Sequence, residues 1–141
     1  MTGAELDHLA ARFEAAAIPR PEWTHHAHLL IGAWYVERVG PSEALAQLRA
    51  GIRRLSDVHR RCDMQTSGYH ETVTAAYVRL VSSFLARCPP TMSLADRIDA
   101  LLASPVAGKQ VLLRHYSRGL LMSPRARAEW VAPDRAPLPE A

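Results

Sequence analysis

Apolar residues in this chain recur at every third or fourth position, segment after segment, and nowhere alternate with polar ones over the length of a strand. That period confines the fold to helices that bury one apolar stripe each. Prolines and glycines cut the pattern into pieces. From about Ala4 to Ala17, Leu6, Leu9, Phe13 and Ala16 keep helical spacing until "IPRPEW" stops it. Thr24 is a candidate N-cap for a second helix ending near Val39–Gly40, and Pro41 suits the first turn of a third. That third helix carries Leu45, Leu48, Ile52, Leu55 and, on the same line, His59. The polar connection "RRCDMQTSG" reads as a loop, after which Ser67 or Gly68 opens a fourth helix running to about Arg87. A fifth is expected from Ser93 through "LADRIDALLA", a short sixth over "GKQVLLRHY", and a last one with Ser123 as cap and Pro124 in its first turn. The expected fold is all-α: a bundle of four main helices, with short C-terminal helices and a proline-rich tail, residues 131–141, packed on it.

A length of 141 residues with 48% apolar content suits one domain, residues 1–141, whose core needs no disulfide or metal as a staple. The sequence shows no charged-then-apolar leader and no apolar run of membrane-spanning length, so no membrane partner is expected. Cys62 and Cys88 have no metal-ligand spacing and make no disulfide framework, which points to a reduced, cytoplasmic setting. The net charge of +3 rests on 16 arginines and one lysine, Lys109. Arg49, Arg53 and Arg60 lie roughly along one line of the third helix, with Arg54 and Arg61 beside it. Such a stripe can contact phosphates. Without interleaved aromatics or a helix-turn-helix it reads as a solvated face, and nucleic acid is not expected as the main partner.

The histidines are distributed less evenly. His25, His26 and His28 stand within four positions at the mouth of the second helix. At about 100° per residue, His25 and His28 share a face with Leu29, Gly32, Tyr35 and Val36, while His26 projects about a quarter-turn away. On the fourth helix His70 shares its stripe with Val73, Tyr77, Leu80, Val81 and Phe84, and Glu71 stands at the edge of that stripe. The short link at Gly40–Pro41 makes the second and third helices antiparallel, and the polar connection reverses the chain again. The second and fourth helices then run parallel with both N-termini at one end. Periodicity and connectivity together predict one pocket holding His25, His28 and His70, with His59 arriving there at the end of the third helix.

A first helical turn carries unpaired N–H groups and the positive end of the macrodipole. Both disfavour imidazolium, and burial acts in the same direction. Neutral imidazole is a ligand for divalent metals and a general base. His25, His28, His70 and Glu71 are therefore the expected metal ligands, for zinc, iron, nickel or copper, with His26, His59 or Asp63 left open as further members. Glu71 and His70 are the expected catalytic groups, Glu71 as fourth ligand or general acid–base. Thr24, Thr72, Thr74 and Tyr69 are placed to orient ligands or substrate. The site would take a small molecule, anionic or enolate-forming because helix N-termini face it. Hydrolase, lyase or isomerase, and oxygenase chemistry stay open, as does oligomerisation. Plainer roles stand beside these: His59 as a hydrogen-bonded core residue, Tyr35, Tyr69 and Tyr77 as core aromatics with a wet tip, His8 as an exposed residue, His115 facing either way. The competing reading of the whole chain is a non-catalytic helical module that binds a ligand or partner and uses its histidines structurally.

Four segments, "THHAHL" at 24–29, "YHETVT" at 69–74, "YSRGLL" at 116–121 and "PDRAPLP" at 133–139, resemble a family of small bacterial proteins that share T-H-x-x-H-L, Y-H-E-T-x-T and P-D-x-x-P-L-P. The resemblance spans nearly the whole chain. It implies that His25, His28, His70 and Glu71 are the matching positions and His26 a variable one, and that the proline-rich tail belongs to the domain. It implies no particular activity.

Overall fold

The computed structural model describes residues 1–62 and 68–140, with Arg61 and Cys62 described by backbone alone. Asp63, Ser67 and most of the polar connection named above lie outside the described residues. The described residues form α1 (Gly3–Glu14), α2 (His25–Cys62), α3 (Glu71–Arg87), α4 (Leu94–Leu102), α5 (Arg118–Leu121) and α6 (Pro124–Ala128). Three 3-10 turns, Arg20–Glu22, Pro105–Ala107 and Val111–Arg114, complete the set, and no strand occurs among the described residues. No helix among them is long and apolar enough to cross a membrane.

Side-chain caps fix where the helices begin. Thr2 accepts the N–H of Glu5, Thr24 that of Ala27, Ser93 that of Asp96 and Ser123 that of Ala126. α1 ends at Glu14, short of Ala17, because Ala16 takes a positive φ of 52° and turns the chain toward Ile18 and Pro19. The expected second and third helices are the two arms of α2, residues 25–39 and 41–62, hinged at Gly40 (φ 80°, ψ 166°). Those angles lie in a region that side chains larger than hydrogen essentially never enter. Glycine therefore makes the reversal, and Pro41 starts the second arm. The arms run antiparallel, bringing His28 to the same cavity as Ile52, Ser56 and His59.

α3 runs parallel to the first arm. His25 meets the edge of the Tyr77 ring, and Leu29, Leu30 and Ala33 pack with Val81 and Leu85. α1 closes the other side, with Phe13 fully buried against Ile31, Tyr35, Leu48 and Leu55. α4 inserts Ile98 and Leu101 beside Leu6 and Leu29. The expected helix over "GKQVLLRHY" is only the 3-10 turn Val111–Arg114, and α5, capped by Ser117, follows it unanticipated.

The C-terminal third wraps the outer face of α3. Tyr116, with no exposed surface, packs with Ala76, Leu80 and Val131, and its O–H donates to the Val131 carbonyl at 2.7 Å. Thr72, also fully buried, donates to the Glu129 carbonyl and accepts the Val131 N–H. Asp134 accepts from both the N–H and the O–H of Ser117, at 2.7 and 2.6 Å. The proline-rich tail is thus part of the packed structure.

Candidate functional site

A cavity of about 290 Å³ opens between the two arms of α2 and the first turns of α3. Leu29, Gly32, Leu48, Ile52, Val78 and Val81 form its buried interior. His25, His28, Val73, Thr74 and Tyr77 line it too but keep accessible surface, so they mark the opening. Gly32 faces empty space: a Cβ built there meets nothing within 4 Å.

The two histidines are each tied by one nitrogen to a backbone carbonyl. His25 donates from Nε2 to Ala107 at 3.0 Å, while the Tyr77 O–H donates to Gly108 at 3.2 Å. The segment after α4 is therefore fastened as a strap to His25 and Tyr77, two residues of the cavity lining. His28 donates from Nδ1 to the Thr24 carbonyl at 2.8 Å, and its ring lies against Trp23 at a centroid distance of 3.9 Å. These bonds fix the tautomers. They leave Nδ1 of His25 and Nε2 of His28 as lone-pair acceptors with no partner among the described residues.

Burial lowers the pKa of His25 below its ordinary 6.5 against the pull of the Ala107 carbonyl, and the nearby charges of His26 and Lys109 lower it further. Burial likewise lowers His28, against its bond to Thr24. The His28 ring does keep accessible area. His28 is exposed and lines two cavities, the apolar one and a neighbouring one of about 260 Å³ that includes Ser56 and His59. Both shifts run downward from 6.5 and so favour the neutral imidazole at pH 7.

The other sequence-derived candidates lie elsewhere. His70 is the N-cap of α3, with Nδ1 accepting the Val73 N–H at 3.1 Å and Nε2 donating to the Leu121 carbonyl at 2.8 Å. Both ring nitrogens are in use. The reason is register: Tyr77, seven residues beyond His70 and about 10 Å farther along α3, stands opposite His25. Parallel helices with N-termini at one end do not have those termini level.

Glu71 is 8% exposed and faces the second arm of α2, where Arg49 grips it with two bonds of 2.8 Å and the Tyr69 O–H adds a third. The Arg49 guanidinium holds the Glu71 carboxyl below its ordinary 4.5. The structure thus brings His25 and His28 together and separates His70 and Glu71 from them, each with its donor atoms already engaged. His59 donates to the Ile18 carbonyl from a buried position. His26 is exposed, with its ring 6.4 Å from that of His25. His8 is exposed, and His115 pins the tail through the carbonyls of Ala136 and Pro137. Among the described residues no three His, Cys, Asp or Glu side chains assemble as a ligand set.

Sequence reasoning placed Thr74 and Tyr77 near the site but missed Trp23, Arg49 and the strap bearing Lys109. Trp23 carries a readable signal, an aromatic directly before the Thr24 cap that can fold over the first turn. The strap carries none, because it meets His25 across 82 residues of sequence. The chain matches no family model, no curated protein and no solved structure.

Proposed function

We propose that the protein binds a small molecule with an apolar body in the cavity between α2 and α3, its polar end against His25 and His28. The observation that carries this reading is the asymmetry of the lining: aliphatic walls inside, and two neutral imidazoles with unused acceptor nitrogens at the opening. Few groups of this kind are needed to orient a ligand once an apolar space holds its body. The strap and the Trp23–His28 contact support the same reading, since they rigidify the rim. Methyl NMR tests it. A small aromatic probe, 4-ethylphenol or 4-ethyltoluene, shifts the methyl resonances of Leu29, Ile52 and Val81 in the wild type. Gly32→Leu, which fills the cavity, abolishes the shift while keeping the helical spectrum. No shift with either probe overturns the reading.

A metal-dependent enzyme is the second reading, favoured by two free ring nitrogens three residues apart on one helical face. His25 and His28 would supply two positions and substrate or water the others. His70 and Glu71 join only by giving up the α3 cap and the Arg49 pair. Elemental analysis of protein purified without chelators, beside His25→Ala, tests it. Stoichiometric metal in the wild type and none in the variant supports it, and no metal in either after reconstitution removes it.

A further inference from the structure

The tautomers at the opening specify more than a polar end. His25 spends its N–H on Ala107 and His28 spends its own on Thr24, so neither imidazole has a hydrogen left to offer. What each offers is a lone pair. Among the described residues no buried, unexposed side-chain nitrogen or oxygen lacks a partner, so the free nitrogen of the half-buried His25, a residue of the cavity lining, keeps accessible surface. In His28 the free nitrogen is Nε2, the outer end of a ring whose inner nitrogen is tied back to its own helix start. A carboxylate, which only accepts, would set lone pair against lone pair. An ammonium has hydrogens to give but meets Lys109, one residue beyond the Gly108 that holds Tyr77, and Lys109 has no ion-pair partner among the described residues.

We infer that the cavity selects a neutral hydroxyl compound with an apolar body, a phenol or small alcohol, whose O–H donates to His28 Nε2 or His25 Nδ1. The inference rests on the cavity reading above and names the ligand chemistry of that site. Lysine then acts by exclusion, and the strap carbonyls at 107 and 108 act by holding the two rim side chains in place. The apolar walls alone would prefer a methyl group to a hydroxyl, so a preference for the hydroxyl has to come from the acceptors.

Calorimetric titration at about pH 8, where the imidazoles are neutral, compares 4-ethylphenol with 4-ethyltoluene, its near-isostere without the donor, and with 4-ethylbenzoate. The expected order is 4-ethylphenol tightest, by at least about tenfold over 4-ethyltoluene, with 4-ethylbenzoate weakest. His28→Phe keeps a ring for Trp23 and removes the acceptor together with the bond to Thr24, and His25→Phe removes the other acceptor together with the bond to Ala107, while Tyr77 still holds the strap. In at least one of them the preference for 4-ethylphenol collapses while 4-ethyltoluene binding persists. Equal or tighter binding of 4-ethyltoluene by the wild type overturns the hydroxyl inference and leaves the cavity reading standing. So does tightest binding of 4-ethylbenzoate, or an unchanged preference in both variants. Binding of none of the three overturns both.

Discussion

Glu71 accepts three hydrogen bonds in a position almost closed to water, and its partner Arg49 retains only part of its own hydration. Removing one member of such a pair strands the other, a larger penalty than the pair's net contribution. Glu71→Ala should therefore cost about 2–3 kcal/mol in urea unfolding, with Arg49→Ala similar and the double variant less than their sum. Additive losses would show that the two residues do not act as a pair. Imidazole charge works in the opposite direction from a salt bridge. Burial lowers the pKa of His25, His28 and His70 below the ordinary 6.5. Between the folded and unfolded values the unfolded chain binds more protons, so stability is complete above 6.5 and is lost as pH falls through the folded values. Unfolding free energy should drop as pH falls from 6.5 toward the lowered folded values, and His70→Asn, which can still cap α3, should flatten that drop. A flat or rising profile for the wild type would contradict the assigned protonation states. Residue roles were legible where they follow from local chemistry: Thr24, Ser93 and Ser123 cap as their neighbours suggest. His70 was not, because a histidine cap and a histidine on the helix face differ by one residue of helix start, and the sequence around Gly68 supports either.

At the level of elements, two glycines of α2 govern how its arms pack, for different reasons. Gly40 supplies backbone angles that other residues essentially do not adopt, and Gly40→Ala should cost about 1–3 kcal/mol through strain alone. Gly51 is an ordinary helical residue under Phe13: a Cβ there would lie 2.3 Å from Cε2 and Cζ of that ring, which has no exposed surface and no room to retreat. Gly51→Ala gains about 1 kcal/mol in helix propensity and loses more to overpacking, for a net loss of about 1–2 kcal/mol. Pairing it with Phe13→Leu should recover part of that loss, and a fully stable single variant in thermal melts would show that α1 can shift. The hinge at Gly40–Pro41 and the apolar stripes could be read directly, since both are local patterns. The close approach at Gly51 could not, because sequence shows a glycine without showing what stands over it. Register between α2 and α3 was hidden for the same reason: periodicity gives the face of a helix and leaves its axial offset to packing. That offset is why Tyr77 stands opposite His25 where His70 had been expected.

For the molecule as a whole, the tail decides whether α3 behaves as a bundle helix or as an interior one. Thr72, Ala76 and Leu80 face away from the first arm of α2, and without the C-terminal third they would face water. Instead they meet Tyr116, Val131 and the Glu129 carbonyl, and the last turn of chain is fastened by Ser117 on Asp134, by His115 on the 136 and 137 carbonyls, and by Arg135 on the Leu113 carbonyl. These bonds close the segment 115–137 into a loop held at both ends, so its loss should propagate along α3 to the His70 cap, which itself bonds Leu121. Ending the chain after Glu129 removes the Val131 contacts to Thr72 and Tyr116 and leaves the fully buried Tyr116 hydroxyl without an acceptor. The lost hydrogen bonds of Tyr116 and Thr72 and the lost apolar contact together should cost about 2–4 kcal/mol. Hydrogen exchange gives the sharper readout. The truncated chain should lose amide protection along the 72–80 face of α3, while α1 and the second arm of α2, held by Phe13, Leu48 and Leu55, should keep theirs. Asp134→Ala, which releases only the clasp on Ser117, should show the same pattern at smaller amplitude. Uniform loss of protection across all helices would mean the molecule opens as one cooperative unit. Retained protection everywhere would mean the tail lies on the fold without supporting it.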